Sequence, residues 1–176
     1  QRQVVRGVLS DIGQDPAKYP PARIAARISR AKNDRVTAED FSRLHNWRAG
    51  NDIDAVVERV FPRYQQFLLQ ANAVDYDDLL LDLVEKLRTD ADMRQSAASR
   101  FSHLLVDEFQ DVNAVQYELV RALTESGRGL FVIGDPDQAI YGFRGADPGF
   151  FRRLGDDYAE ATVHYLSRNY RSQPGI

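Results

Sequence analysis

The sequence predicts an α/β protein in which a helical first part precedes a parallel sheet. From residue 1 to about residue 100, apolar side chains recur at the spacing of one helix face. After Phe101, short aliphatic runs alternate with a helix-like segment, which is typical of right-handed βαβ units. The first run, Leu104–Val106, predicts a strand buried on both faces, and two carboxylates, Asp107 and Glu108, follow it at once.

Composition excludes some classes of protein. There is no cysteine, so neither a disulfide framework nor a thiolate metal site is expected, and a reducing cytoplasm fits. No apolar run approaches the roughly 20 residues of a membrane span, so we expect no membrane partner. The net charge of −3 is unevenly distributed along the chain, because residues 1–50 contain ten Lys/Arg and only five Asp/Glu. A basic segment joined to an acidic one indicates two surfaces with different partners.

The helical part divides at recognisable signals. The first helix is predicted to end at Gly13, and a second to cover residues 22–32. Thr37 with Asp40 resembles a capping box, and the long pattern that follows contains Pro62, which is expected to kink or split its helix. Asp75 and Asp78 are predicted to start the next helix, whose expected core face is Leu79, Leu80, Leu83, Val84 and Leu87.

A basic face lies on the second predicted helix. Arg23, Arg27 and Arg30 are spaced four and three residues apart, so they share one side of it. Two interpretations stay open. Such a face is either simply solvated or makes phosphate contacts with a DNA duplex, since Arg and Lys supply non-specific affinity for DNA.

The second part of the chain is predicted to carry three strands. A helix is expected from Asn113 to about residue 125, and a second strand over residues 130–133. Asp147-Pro148 predicts another helix start, and a third strand is expected over residues 162–166.

Parallel strands in βαβ units present their carboxyl ends at one edge of the sheet. Asp107 and Glu108 after the first strand should therefore converge with Asp135 and Gln138 after the second. Asp107 suits a magnesium ion, Glu108 suits the activation of a water molecule, and Gln138 offers an amide to a terminal phosphate. Alternatively, the first strand merely runs out into a solvated acidic loop.

Two further segments combine aromatic and basic side chains. Tyr141 and Phe143 either pack their loop onto the core or stack on the bases of a single strand. Tyr170 and Arg171 have the residue types needed for an aromatic stacked on adenine beside an arginine that contacts a γ-phosphate.

These motifs resemble those of a known family. V-D-E-F-Q-D at 106–111, G-D-P-D-Q-A-I-Y-G-F-R-G-A-D at 134–147 and N-Y-R-S at 169–172 resemble motifs II, III and IV of the UvrD/PcrA/Rep family of superfamily 1 DNA helicases. The segments I-S-R-A-K-N at 28–33 and D-Y-D-D-L-L at 75–80 are similar to that family as well. Order and spacing match over roughly 150 residues.

The resemblance implies a P-loop NTPase, or RecA-like, fold with an all-α insertion subdomain at its N-terminal side. Residues 1–74 would form helical subdomain 1B, and residues 75–176 would form part of ATPase domain 1A. It also implies an ATP-dependent DNA helicase with 3′→5′ polarity, acting with ATP and Mg²⁺ on single-stranded DNA and on duplex/single-strand junctions. The DNA repair or replication pathway and the accessory repair proteins stay unidentified.

The same resemblance assigns roles around the nucleotide. Asp107 would hold magnesium and Glu108 would be the general base. Gln138 and Arg144 would contact the γ-phosphate and couple it to DNA. Tyr170 would stack on adenine, and Arg171 would touch the γ-phosphate.

For DNA, the resemblance implies that Tyr141 and Phe143 contact the single strand. Phe143 stands where many relatives carry tryptophan. Arg23, Arg27 and Arg30, together with Lys32, become candidate contacts to the duplex.

One departure limits these expectations. No G-x-x-x-x-G-K-S/T phosphate loop occurs in the 176 residues, which begin at Gln1 and not at methionine. We interpret the chain as a piece of a longer enzyme and expect it to be inactive in ATP hydrolysis by itself. Two alternatives remain: a subunit of a helicase–nuclease of the RecB or AdnAB kind, and a non-catalytic DNA-binding module that keeps the fold.

Overall fold

A computed structural model describes residues 1–45, 52–124, 126–140, 146–147, 149–171 and 173. In these residues the helices are α1 (Arg2–Asp11), α2 (Pro21–Asn33), α3 (Ala38–His45), α4 (Asp52–Gln70), α5 (Tyr76–Thr89), α6 (Ala91–Ser99), α7 (Ala114–Leu123) and α8 (Gly149–Asp157). The strands are β1 (Leu104–Val106) and β2 (Leu130–Val132), and short 3-10 turns cover Phe109–Asp111 and Pro136–Gln138. No helix in these ranges is long and apolar enough to cross a membrane.

Helices α1 to α4 share one hydrophobic core. Each contributes an apolar stripe at helical spacing, and the stripes meet in a cluster whose most buried members are Val5, Leu9, Ile24, Ile28, Val57, Val60, Phe61 and Tyr64. Pro62 lies inside α4 but does not divide it, since the helix runs unbroken from Asp52 to Gln70. Phe61 and Tyr64, 2% and 1% exposed, anchor the helix on both sides of the proline.

Helix α5 begins as the sequence predicts. The Asp75 side chain accepts from the Asp78 backbone N–H (2.8 Å), and the Asp78 side chain accepts in return from the Asp75 N–H (3.3 Å). Its predicted core face is only partly right. Val84 and Leu87 are buried, but Leu79 is 53% exposed, because it points away from α2 and α7, against which α5 packs. Leu83 is exposed as well, at 37%.

The two strands pair in parallel, as predicted from the βαβ pattern. Leu104 lies opposite Leu130 and Val106 opposite Val132, with α7 in the connection between the strands. The expectation that β1 is buried on both faces is wrong for this chain. Val106 and Val132 pack on a core of aromatic residues, whereas Leu105 on the opposite face is 71% exposed.

Helix α8 packs against Tyr117 of α7 in the core on one face of the sheet. The Tyr117 ring stacks on Phe150 of α8 with 4.8 Å between centroids, and its hydroxyl donates to Asp157 Oδ2 (2.7 Å). Burial, followed by this hydrogen bond, raises the pKa of Tyr117. Asp147 caps the helix as predicted, since its Oδ1 accepts from the Gly149 N–H (2.8 Å).

The predicted third strand is not formed. Residues 162–166 have no regular secondary structure, and Val163, Tyr165 and Leu166 are 70%, 88% and 93% exposed. A strand exists only when its backbone groups pair with a neighbour, and the only strands in the described part of the chain are β1 and β2, which pair with each other.

Candidate nucleotide-hydrolysis site

The two carboxylates that follow β1 lie at the carboxyl edge of the sheet, and the second of them has an unusual backbone conformation. Glu108 has φ 51° and ψ 44°, in the left-handed region, which costs a residue with a Cβ about 1–2 kcal/mol. Its backbone N–H donates to Asp107 Oδ1 (2.9 Å). The turn therefore separates the two side chains, and both are exposed to solvent.

Strand β2 ends in a second polar loop beside the first. The Asp135 carboxylate accepts from the Asp137 N–H (3.0 Å) through Oδ1 and from Gln138 Nε2 (2.7 Å) through Oδ2. The loops adjoin because Ile133 N–H donates to Val106 O (2.8 Å) and Phe109 N–H to Ile133 O (3.0 Å), so pairing continues past the strand ends. The structure thus brings the two strand ends together, as the parallel pattern predicts.

Gln110 joins the loops directly, and no role was predicted for it from the sequence. It is 2% exposed. Its Nε2 donates to Glu108 Oε2 (2.6 Å), and its Oε1 accepts from the Asp135 N–H (3.0 Å). Gly134 makes this approach possible, since a Cβ there would lie 2.7 Å from Gln110 Oε1.

The donor set at this edge fits magnesium in one specific way. Asp107 offers an exposed carboxylate, and the described residues contain no group of three or more His, Cys, Asp or Glu that would cage a metal. Magnesium keeps several of its waters and typically takes one or two carboxylates together with substrate phosphates. The exposed Asp107 carboxylate therefore suits magnesium that arrives with a nucleotide.

Tyr170 and Arg171 contact neighbouring residues of their own segment. Tyr170 is 82% exposed, with the Arg168 guanidinium 5.1 Å from its ring centroid. The Arg171 backbone N–H donates to Asn169 Oδ1 (2.8 Å). Within the described ranges, no hydrogen bond or ion pair joins either residue to the strand-end carboxylates. Tyr141, Phe143 and Arg144 lie outside the residues that the structure describes.

Only part of the basic face of α2 is available to a binding partner. Arg23 is exposed. Arg27 makes a two-pronged ion pair with Asp54 of α4, through Nε (2.8 Å) and Nη2 (2.6 Å). Arg30 lies 3.6 Å from Asp34 and is 46% exposed. Arg27 therefore also ties α2 to α4.

The expectation that Lys32 belongs to this exposed face is wrong. Its side chain is 2% exposed, and its Nζ donates to Asp75 Oδ2 and to Asp78 Oδ1, both at 2.7 Å. Lys32 follows Ile24 and Ile28 at intervals of four residues, so it continues the apolar stripe of α2, and that spacing is the signal that predicts burial.

Tyr64 completes this cluster by donating its hydroxyl to Asp75 Oδ2 (2.8 Å). Burial by itself raises the pKa of Asp75. Hydrogen bonds from Lys32, the Asp78 N–H and Tyr64 outweigh that effect and lower its pKa to about 2. Burial, and then the hydrogen bond to Asp75, raises the pKa of Tyr64. A charged carboxylate and a neutral phenol are therefore held together around the Lys32 ammonium.

Known proteins are similar to this chain over its whole length. Residues 1–159 match the UvrD/REP helicase N-terminal domain. The chain belongs to this family. Over all of its length it is similar to the ATP-dependent DNA helicases PcrA of Bacillus subtilis strain 168 (38% identical), Leuconostoc citreum (35%) and Staphylococcus aureus strain Mu50 (34%). It spans 23%, 23% and 24% of these relatives, so it corresponds to about a quarter of their length.

In this UvrD/REP-family chain, a polar junction ties α2 and the residues after it to α5 and α7. Asn33 Nδ2 donates to Asp77 Oδ1 (3.1 Å), and Asn33 Oδ1 accepts from Nδ2 of Asn113, the N-cap residue of α7 (2.9 Å). Arg35 pairs with Glu118 of α7. Helix α2 is thereby fixed to the helix that follows the Asp107–Glu108 turn.

Proposed function

We propose that this chain supplies the hydrolytic edge of an ATP-dependent DNA helicase. The observation that carries the proposal is the hydrogen-bonded continuity from Glu108 through Gln110 and Asp135 to Gln138 across two parallel strand ends. The carboxyl edge of a parallel sheet is where open α/β folds bind nucleotides. Membership of the UvrD/REP family supports the same function.

Each side chain at the edge has a distinct role in this proposal. Asp107 holds magnesium through its exposed carboxylate. When bound, the ion supplies charge neutralisation at the phosphates. Glu108 orients the attacking water and accepts its proton through the carboxylate oxygen that Gln110 leaves open. The Gln138 amide meets the terminal phosphate.

Three further side chains are proposed to contact the nucleotide. Arg144 contacts the γ-phosphate beside Gln138, Tyr170 stacks on adenine, and Arg171 reaches the γ-phosphate. Their residue types support these roles, since a planar guanidinium matches phosphate oxygens and a phenol ring stacks on a base. Tyr170 and Arg171 are exposed, so both are available to a bound nucleotide.

We further propose that residues 75–176 are part of a RecA-like ATPase domain 1A and that residues 1–74 are the all-α insertion 1B. Two separate hydrophobic clusters support this division. One contains buried residues from Val5 to Leu68 only, and the other centres on Phe109, Tyr117 and Phe150. The polar junction at Asn33 would then keep the insertion in a fixed position relative to the ATPase domain.

DNA contacts are proposed on both parts. Tyr141 and Phe143 stack on the bases of the single strand. The exposed Arg23 and Arg30, with the outer part of Arg27, face the duplex at a single-strand junction. Translocation runs 3′→5′ along the single strand.

The test uses the full-length protein that contains this chain. Glu108→Gln should lower kcat for DNA-stimulated ATP hydrolysis by about 100-fold or more while the affinity for ATP stays unchanged, since only proton acceptance is removed. The matched control is Glu160→Gln, an exposed carboxylate in the turn after α8. Native turnover in Glu108→Gln, or no DNA-stimulated hydrolysis in the native protein, would overturn the proposal.

A further inference from the structure

Gln110 is a buried amide whose oxygen and nitrogen each have a hydrogen-bond partner. A buried side-chain amide needs partners for both its oxygen and its nitrogen. The Asp135 backbone N–H only donates, so the group facing it at 3.0 Å is the Gln110 oxygen. The NH₂ group must then face Glu108, where a carboxylate oxygen accepts at 2.6 Å. The orientation of the amide is therefore fixed by chemistry.

The hydrogen bond from Gln110 restricts the orientation of the Glu108 side chain. Glu108 is exposed and sits on a left-handed backbone, so its side chain has several orientations open to it in solvent. A short hydrogen bond from a buried donor selects one of them. It occupies Oε2 and leaves Oε1 free to accept from water.

The other end of Gln110 is tied to the second loop. Asp135, whose N–H holds the Gln110 oxygen, also accepts from Gln138 through its carboxylate at 2.7 Å. A displacement of Gln138 by a terminal phosphate would move Asp135 and, through Gln110, the carboxylate of Glu108. Gly134 leaves room for this contact, since a Cβ added there would lie 2.7 Å from both Gln110 Oε1 and the Phe151 ring.

We propose that Gln110 is a positioning residue that aims the Glu108 carboxylate and couples it to the loop of Asp135 and Gln138. The inference rests on the proposed function, because it assigns Gln110 an effect on the base of ATP hydrolysis. Gln110 itself touches neither nucleotide nor water in this role. Its effect is on the rate of the chemical step and not on the binding of ATP.

Two variants separate the two ends of the amide. Gln110→Met keeps the length of the side chain and loses both hydrogen bonds. Gln110→Glu keeps an acceptor for the Asp135 N–H but has no NH₂ group for Glu108. The control is Gln65→Met on α4, a half-buried glutamine whose Oε1 has no partner among the described residues.

In the full-length protein with saturating single-stranded DNA, both Gln110 variants should lower kcat by about 10- to 100-fold, the effect of a misplaced reacting group. The KM for ATP and the affinity for a fluorescent ATP analogue should stay within about threefold of native, as expected when only the transition state is affected. Gln65→Met should keep the native kcat and KM.

A double-variant measurement identifies the route of the effect. In single-turnover hydrolysis, Gln110→Met added to Glu108→Gln should produce no further loss, because the carboxylate that Gln110 aims is already gone. A purely structural role predicts an additional loss in that background and weaker nucleotide binding.

Several results would overturn the inference. These are native kcat in either folded Gln110 variant, a raised KM with unchanged kcat, and an additional loss in the Glu108→Gln background. If Glu108→Gln itself retained native turnover, the proposed function would fail. If Glu108→Gln were inactive and Gln110→Met fully active, only the positioning role would fail.

Discussion

Removing the Lys32 ammonium should destabilise the protein strongly. Lys32→Met keeps most of the side-chain length and apolar volume, so little cavity is created. It leaves the carboxylates of Asp75 and Asp78 without the cation that both of them contact at 2.7 Å. The three side chains are 2%, 3% and 12% exposed, so water cannot replace the ammonium.

The magnitude follows from that burial. Removing one partner of a buried ion pair costs about 3–5 kcal/mol, because an uncompensated charge stays in the interior. With an m-value of about 2 kcal/mol/M, the urea midpoint should fall by about 1.5–2.5 M. The triple variant with Asp75→Asn and Asp78→Asn should recover part of this loss, since it removes the uncompensated charges as well.

Urea unfolding at neutral pH, followed by far-ultraviolet circular dichroism, measures the change in the free energy of unfolding. The matched control is Arg30→Met on the same helix, where an exposed ion pair with Asp34 at 3.6 Å predicts a loss below about 1 kcal/mol. A loss below about 1 kcal/mol for Lys32→Met would refute the reasoning, because the cluster would then be hydrated.

Three further predictions concern acid, packing and DNA. The folded-state pKa of Asp75, about 2, lies below its usual value of 3.8. The stability that this carboxylate contributes is therefore present above pH 3.8 and is lost as the pH falls towards 2. Urea midpoints measured between neutral pH and pH 2 test this loss of stability. Gly134→Ala should cost about 1–3 kcal/mol, because its methyl group would lie 2.7 Å from the Gln110 oxygen and the Phe151 ring. Gly7→Ala in α1, with no atom within 4 Å, should instead add about 0.5–1 kcal/mol, and equal urea midpoints for the two variants would contradict the packing argument. Replacing Arg23 and Arg30 with Ala in the full-length protein should reduce the slope of log K against log salt for duplex junctions by about 0.9 per lost phosphate contact, and an unchanged slope would leave the face merely solvated.

Local signals were sufficient for the elements that the sequence predicts correctly. Helix α7 begins at Asn113 because the Asn113 and Gln116 side chains satisfy each other's backbone N–H groups, and that pattern is visible in four residues. Helix α5 begins at Asp75 for the same reason. The parallel pairing of the strands follows from the length of the connection between them.

The incorrect predictions concern positions that depend on distant partners. The spacing of α2 places Lys32 on the buried face, but the partners that allow a lysine there, Asp75 and Asp78, lie 43 and 46 residues further along the chain. The segment at 162–166 has the composition of a strand, but strand formation requires a neighbour to pair with.

In the candidate site, too, one feature follows from local sequence signals and another depends on distant partners. The convergence of the two strand ends, with Glu108 near Asp135, follows from strand direction alone. The link through Gln110 does not, because it depends on the left-handed turn at Glu108 and on the missing side chain at Gly134.

Unwinding of a tailed duplex tests the central claim most directly. With the full-length protein and ATP, a duplex with a 3′ single-stranded tail should be separated faster than one with a 5′ tail. Glu108→Gln should abolish the separation while the protein still binds the junction. Native unwinding by Glu108→Gln, or unwinding by the native protein without ATP, would contradict the claim that this edge of the sheet drives the helicase.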